Sequence, residues 1–177
     1  LTLKEMGRKE EALASYEKAE TEDPTTVWYY INQIDILLEQ ERRQDALAVI
    51  ERALKNVSPN AVLWARRGQV LRRLRQYEEA NMSYDEAIML EHDYAWAWNG
   101  KGLCYAAMKQ WENARGCYEK AIKYESNDVW YWHNLGEALF YMGDYQQALK
   151  TFEYALTIDP NHQPSLQKLA WTREKLK

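Results

Sequence analysis

The sequence predicts an all-α fold, a stack of antiparallel helix pairs, on three observations. A set of residues returns every 34 positions with no insertion or deletion. Trp64, Gly68, Leu71, Ala80, Tyr84 and Ala87 become Trp98, Gly102, Tyr105, Ala114, Tyr118 and Ala121, then Trp132, Gly136, Leu139, Ala148, Phe152 and Ala155. The apolar members fall at helical spacing, and Gly and Pro fall between the stripes they form. A fixed period of this length marks one supersecondary unit, copied and stacked. Such an array offers an extended binding surface in place of one pocket.

Taking Ala61 as position 1, the chain divides into a partial unit 1–26, four full units 27–60, 61–94, 95–128 and 129–162, and a last helix 163–177. Position 20 is Ala in five copies (Ala12, Ala46, Ala80, Ala114, Ala148), and so is position 27 (Ala19, Ala53, Ala87, Ala121, Ala155). A small side chain at a fixed place means two backbones approach closely there. Position 24 is large in each copy: Tyr16, Ile50, Tyr84, Tyr118 and Phe152. Positions 20, 24 and 27 form one helical stripe, and positions 4, 8 and 11 form a second. Trp64, Trp98 and Trp132 at position 4 are therefore expected in the core.

Helix A is predicted over positions 2–14 and helix B over positions 18–31. Gly7 and Gly143 stand at position 15, where a left-handed C-cap favours glycine. Asp23-Pro24 and Asp159-Pro160 close helix B, because the residue before proline disfavours the α region. Ser58, His92 and Ser126 replace that proline, so helix B is expected to run slightly longer there. Tyr30, Ile34 and Leu37 occupy positions 4, 8 and 11 of the unit 27–60, which predicts a looser or differently angled helix pair.

These positions resemble the tetratricopeptide repeat, whose motif is Trp at 4, Gly at 8, Tyr at 11, Ala at 20, an aromatic at 24, Ala at 27 and Pro at 32. The resemblance covers residues 1–177 as a single array. It implies a right-handed α-solenoid whose first helices line a concave groove. The polar residues of 163–177, among them Gln167, Lys168, Arg173, Glu174, Lys175 and Lys177, suit a solvating cap. Leu1, Leu3 and Met6 read as the remnant of a first helix, with an apolar face to be covered by further chain, another domain or a second copy. The chain opens inside a unit and without Met, so a piece of a longer polypeptide is expected.

Composition narrows the function. The chain is 46% hydrophobic with 8 Trp and 13 Tyr, ample for a continuous core. A net charge of −4 has the wrong sign for a general nucleic-acid or anionic-membrane binder. No run approaches the roughly 18 apolar residues of a membrane span. Cys104 and Cys117 have no metal-ligand spacing and read as packed thiols, which fits a reducing, cytoplasmic setting. His92, His133 and His162 occupy three different repeat positions. No nucleophile–His, P-loop, GxGxxG, HExxH or CxxC motif occurs, so no catalysis, cofactor or metal is expected.

Binding remains. The family resemblance implies ligand contacts from positions 2, 5, 6, 9, 12 and 13 of helix A. Position 2 supplies Trp28, Trp96 and Trp130, either rigid anchors for a partner or rings packed on the next helix. Arg66, Arg72 and Arg73, with Gln69, are suited to an acidic group of the ligand, or else pair with nearby carboxylates such as Asp35. Asn32, Asn99 and Asn134 can hold an extended peptide backbone, or are plain surface polarity. Asp35, His133 and Glu137 complete the candidate face. A family subgroup that grips chaperone C-terminal carboxylates needs Lys at position 5, which is absent here. The expected function is a protein–protein interaction scaffold; the alternative is the sensor or oligomerisation arm of a larger regulatory enzyme, with self-association through the N-terminal face.

Overall fold

The structure is a computed structural model and describes residues 7–177; Leu1, Leu3 and Met6 lie outside them. Among the described residues there are ten α-helices and no strand. They are α1 (Lys9–Glu22), α2 (Val27–Glu39), α3 (Arg43–Asn56), α4 (Ala61–Arg73), α5 (Tyr77–Leu90), α6 (Ala95–Ala107), α7 (Trp111–Tyr124), α8 (Val129–Met142), α9 (Tyr145–Ile158) and α10 (Gln163–Lys175). The chain divides into two compact units, Leu1–Leu90 and Glu91–Lys177. Within each, consecutive helices pack on one another.

Helix starts keep the 34-residue phase throughout: 27, 61, 95, 129 and 163 for one series, and 9, 43, 77, 111 and 145 for the other. The side chains explain why. Ala46, Ala53, Ala80, Ala87, Ala114, Ala121, Ala148 and Ala155 are fully buried, as are Ile50 and Phe152. The large residue at position 24 fills the space left by glycine at position 8. A Cβ built on Gly68, Gly102 or Gly136 would meet the ring of Tyr84, Tyr118 or Phe152 at 2.9, 2.5 and 2.7 Å. Glycine is required there by close approach, and the glycine–ring pair locks helix A to helix B.

The unit 27–60 solves the same problem with two branched residues. Ile34 and Ile50 are both fully buried in one cluster with Tyr30. The backbones of α2 and α3 do approach less closely than those of α6 and α7. Medium against medium fills the gap that small against large fills elsewhere.

Helix B does not lengthen where proline is missing. α3, α5 and α7 end at the same position as α1 and α9. Before α2, α6 and α8 the carbonyl at position 32 is engaged by the next helix. The indole Nε1 of Trp98 donates to His92 O (2.9 Å) and that of Trp132 to Ser126 O (2.8 Å). The Tyr30 hydroxyl donates to Pro24 O (2.9 Å), so tyrosine serves there as tryptophan does elsewhere. This also corrects the expectation for position 4. Trp64, Trp98 and Trp132 are half-buried, and the indoles of Trp98 and Trp132 reach out to loop carbonyls.

The turn from helix A to helix B closes with a backbone N–H at position 16 donating to the carbonyl at position 11: Arg42 to Leu37, Gln76 to Leu71, Gln110 to Tyr105 and Asp144 to Leu139, at 2.8–3.0 Å. That closure needs a left-handed residue at position 15. Gly143 provides it (φ 85°), and Glu41, Arg75 and Lys109 adopt the same region without being glycine.

Candidate ligand-binding faces of the first helices

In the N-terminal unit the face is built by α2 and α4. Trp28 is 52% exposed, its ring edge-on to Tyr16 and Tyr29 at 5.3 and 5.8 Å. Asn32 turns its amide back and donates to Trp28 O (2.8 Å). Arg66 pairs with Asp35 (3.2 Å) and donates to Gln69 Oε1 (3.2 Å). A cavity of about 360 Å³ opens beside them, bordered by Leu38, Glu39 and Arg73. Glu39 is held by Lys9 (3.2 Å). Arg73 is exposed, while Arg72 is half-buried with its Nε shielded and unsatisfied. Arg66 is thus paired internally, and Arg73 stands exposed at the edge of the cavity.

Beneath this face lies a network that sequence patterning did not reveal. Arg52 donates to Glu20 (3.1 and 3.2 Å), and buried Gln33 donates to the same carboxylate (2.9 Å). Burial alone would raise the Glu20 carboxyl, but Arg52 and Gln33 outweigh it and hold it below its usual range.

In the C-terminal unit the face is built by α6, α8 and α10. Trp130 is 50% exposed. Trp96 is half-buried and lies 6.1 Å from Tyr94. Asn99 and Asn134 are buried, and Asn134 donates to Asn99 Oδ1 (2.8 Å). Their amides tie α6 to α8. His133 is also buried, its Nδ1 3.1 Å from Ser165 Oγ on α10. Desolvation pushes its imidazole down to about 4. Glu137 pairs with Lys168 at 2.6 Å.

His133 and His162 hold different repeat positions, yet both reach Ser165 and their rings lie 5.3 Å apart. Ser165 is fully buried, so this is no nucleophile open to a substrate. Lys168 is not a solvating residue either. Its ammonium lies over Tyr141, Trp171 and Phe140 at 4.8, 5.4 and 5.5 Å.

Family models described as tetratricopeptide repeat match residues 1–26, 31–88 and 93–161. This chain belongs to the tetratricopeptide repeat family. No curated protein matches it in sequence. Solved tetratricopeptide structures share its fold. YrrB, described as having an unusual peptide-binding site, is 24% identical at TM-score 0.73, over 93% of this chain and 85% of that one. PilF of Pseudomonas aeruginosa is 21% identical at TM-score 0.83, over 98% of this chain and 81% of that one. The first tetratricopeptide domain of Spaghetti, bound to the HSP90 peptide SRMEEVD, is 18% identical at TM-score 0.65, over 66% of this chain and 93% of that one.

Within a tetratricopeptide frame, the residues missed on α10 were open to simple arithmetic. Lys168 and Trp171 stand at positions 6 and 9, the places of Asn134 and Glu137 one period earlier. Trp171 and Tyr141 are 45% and 50% exposed, and Trp111 stacks on Tyr141 at 4.5 Å. Among the described residues no cluster of His, Cys, Asp and Glu forms a metal site, and no helix is long and apolar enough to cross a membrane.

Proposed function

We propose that this chain is an interaction scaffold of four tetratricopeptide units (27–60, 61–94, 95–128 and 129–162) that grips a peptide or protein along the faces of its first helices. One observation carries the reading. Trp28 and Trp130 stand at the same position of α2 and α8 and leave about half their surface in water. A large rigid ring held half-exposed is the side chain most enriched at binding hot spots. The peptide-binding tetratricopeptide structures of the same fold support a polypeptide ligand.

The two units offer different chemistry. On α4, exposed Arg73 borders the cavity, where it would take an acidic side chain of the ligand. On α8 and α10 the charges of Glu137 and Lys168 cancel, which leaves rings for apolar side chains. Two buried thiols fit a reducing compartment such as the cytoplasm. The test is a peptide array probed with the wild-type protein, Trp28→Ala/Trp130→Ala and Arg72→Glu/Arg73→Glu. The tryptophan variant loses most ligands, and the arginine variant loses those with acidic residues. Folded variants that keep the wild-type binding pattern would sink the proposal.

A further inference from the structure

α10 is docked by unusually few apolar groups. Its buried residues are Ser165, Leu169 and Thr172, and only Leu169 is apolar. Thr172 spends its hydroxyl on its own helix, donating to Lys168 O. The Arg173–Glu153 pair to α9 is exposed and holds little. What remains is polar: Lys168 pairs with Glu137 and lies over rings of α8, and a serine bridge joins α10 to α8 and to the residue before it. Ser165 Oγ lies 3.1 Å from Nδ1 of His133 on α8 and 2.8 Å from Nδ1 of His162, which precedes α10. Both imidazoles are buried.

The bridge has one consistent proton arrangement. A serine hydroxyl has one proton, so it donates to one Nδ1 and accepts N–H from the other. Nε2 of His162 is buried with no partner. A bare lone pair there costs less than a buried orphan N–H. His162 therefore donates through Nδ1 to Ser165, and Ser165 donates to Nδ1 of His133. Both rings must be neutral.

Acid attacks this arrangement at His133. A proton on its Nδ1 turns the buried serine hydroxyl away, and the imidazolium so formed would lie 5.3 Å from the His162 ring. The charged groups around them do not rescue the pair. Glu137 of α8 is already bound to Lys168, whose ammonium on α10 repels a further cation. α9 contributes the apolar ring of Phe152, 5.7 Å from His133. Asp159, in the loop before His162, meets it through its backbone carbonyl.

We propose that the His133–Ser165–His162 bridge is an acid-labile latch: protonating His133 frees α10 from α8 and α9 while those two helices stay folded. The sign follows from the burial. His133 sits at about 4 when docked against 6.5 when free. The released state binds the extra proton, so docking weakens as pH falls from about 6.5 toward 4.

Hydrogen exchange of the whole protein, corrected for the intrinsic pH effect, tests this between pH 8 and pH 5. The opening of α10 should rise about 30-fold at pH 5 from His133 alone, while α8 and α9 keep their protection. His133→Gln/His162→Asn should flatten the response, since both replacements hydrogen-bond without titrating. An α10 protected equally at both pH values overturns the latch. So does an undiminished response in the double variant. Should that variant not fold, Ser165→Ala decides: α10 must already be open at pH 8, and wild-type protection there overturns the proposal.

Discussion

The α2–α3 pair and the α6–α7 pair close the same gap by opposite means, and the contrast shows what the 34-residue motif protects. In α6–α7 a glycine admits a tyrosine ring so closely that a Cβ on Gly102 would stand 2.5 Å from Tyr118. In α2–α3 the same two places hold Ile34 and Ile50, both fully buried. Neither residue type is the invariant. What is kept is a filled gap, because interiors are packed as densely as organic crystals. The two isoleucines together are bulkier than glycine and a ring, and α2 and α3 stand correspondingly farther apart.

The largest effect comes from breaking one partner of the isoleucine pair. Ile34→Gly removes a buried branched chain, at about 2–5 kcal/mol for the cavity, and adds about 1 kcal/mol for glycine in a helix interior. Denaturant unfolding of the full chain should therefore show a loss near 4 kcal/mol. Adding Ile50→Tyr rebuilds the glycine–ring pair and should recover at least about half of it. If the two changes simply add, the pairs are not equivalent solutions and the comparison fails.

That pairing marks how much was legible beforehand. The stripe of Ala, aromatic and Ala residues fixed helix count, phase and inner faces, because burial is periodic and periodicity is visible in a string. Substitutions such as Tyr30 for tryptophan read as departures, yet the hydroxyl reaches the same loop carbonyl; equivalent hydrogen bonding is hidden from residue identity. The candidate faces were legible as positions but not as states. Asn99, Asn134 and His133 stand where a ligand-facing residue belongs, and each is spent on a neighbouring helix. Their partners lie 32 and 35 residues away in the chain, a distance no local spacing rule spans.

The next effect sharpens the comparison within the glycine-bearing pairs. Overpacking costs about 1–3 kcal/mol, whereas alanine gains about 1 kcal/mol over glycine in a helix. Contact distance decides the balance. Gly102→Ala, meeting Tyr118 at 2.5 Å, should lose about 2 kcal/mol. Gly136→Ala at 2.7 Å should lose less, and Gly68→Ala at 2.9 Å should come out close to neutral. Gly116→Ala, in α7 with nothing within 4 Å, should stabilise by up to about 1 kcal/mol. Thermal melts of the four variants give the ranking, and a reversed order would show that the rings yield freely.

The two units also differ in acid. His133 in the C-terminal unit loses its contribution as pH falls from 6.5 toward about 4. Glu20 in the N-terminal unit is held below its ordinary 4.5. Its contribution is complete above that value and disappears only as pH falls through the lower, folded one. Arg52→Met removes the main counterweight to burial, so Glu20 should then rise and the N-terminal unit weaken at a higher pH. The loss at neutral pH should be about 1 kcal/mol, because Arg52 is half exposed. Acid titration of the N-terminal helices by hydrogen exchange measures it, and an unmoved midpoint would remove Glu20 from the account.

The smallest effect concerns the turn shared by both kinds of pair. Gly143 closes α8 in the left-handed region, and Lys109 closes α6 in the same region at φ 59°. A side chain there costs about 1–2 kcal/mol, partly offset because glycine loses more backbone entropy on folding, about 0.5–1 kcal/mol. Lys109→Gly should therefore stabilise by about 0.5 kcal/mol and Gly143→Ala destabilise by a similar or slightly larger amount. Arg75→Gly should follow Lys109→Gly. Glu41→Gly should gain least, because it gives up the ion pair with Arg43. The outcome separates two origins for the helix A–helix B turn. If glycine helps at Lys109 and Arg75, the turn is imposed by packing of alanine against the facing helix, and position 15 merely tolerates the strain. If it does not, the lysine and arginine carry a local interaction worth as much as the strain, and the 34-residue phase is set partly by the turn itself.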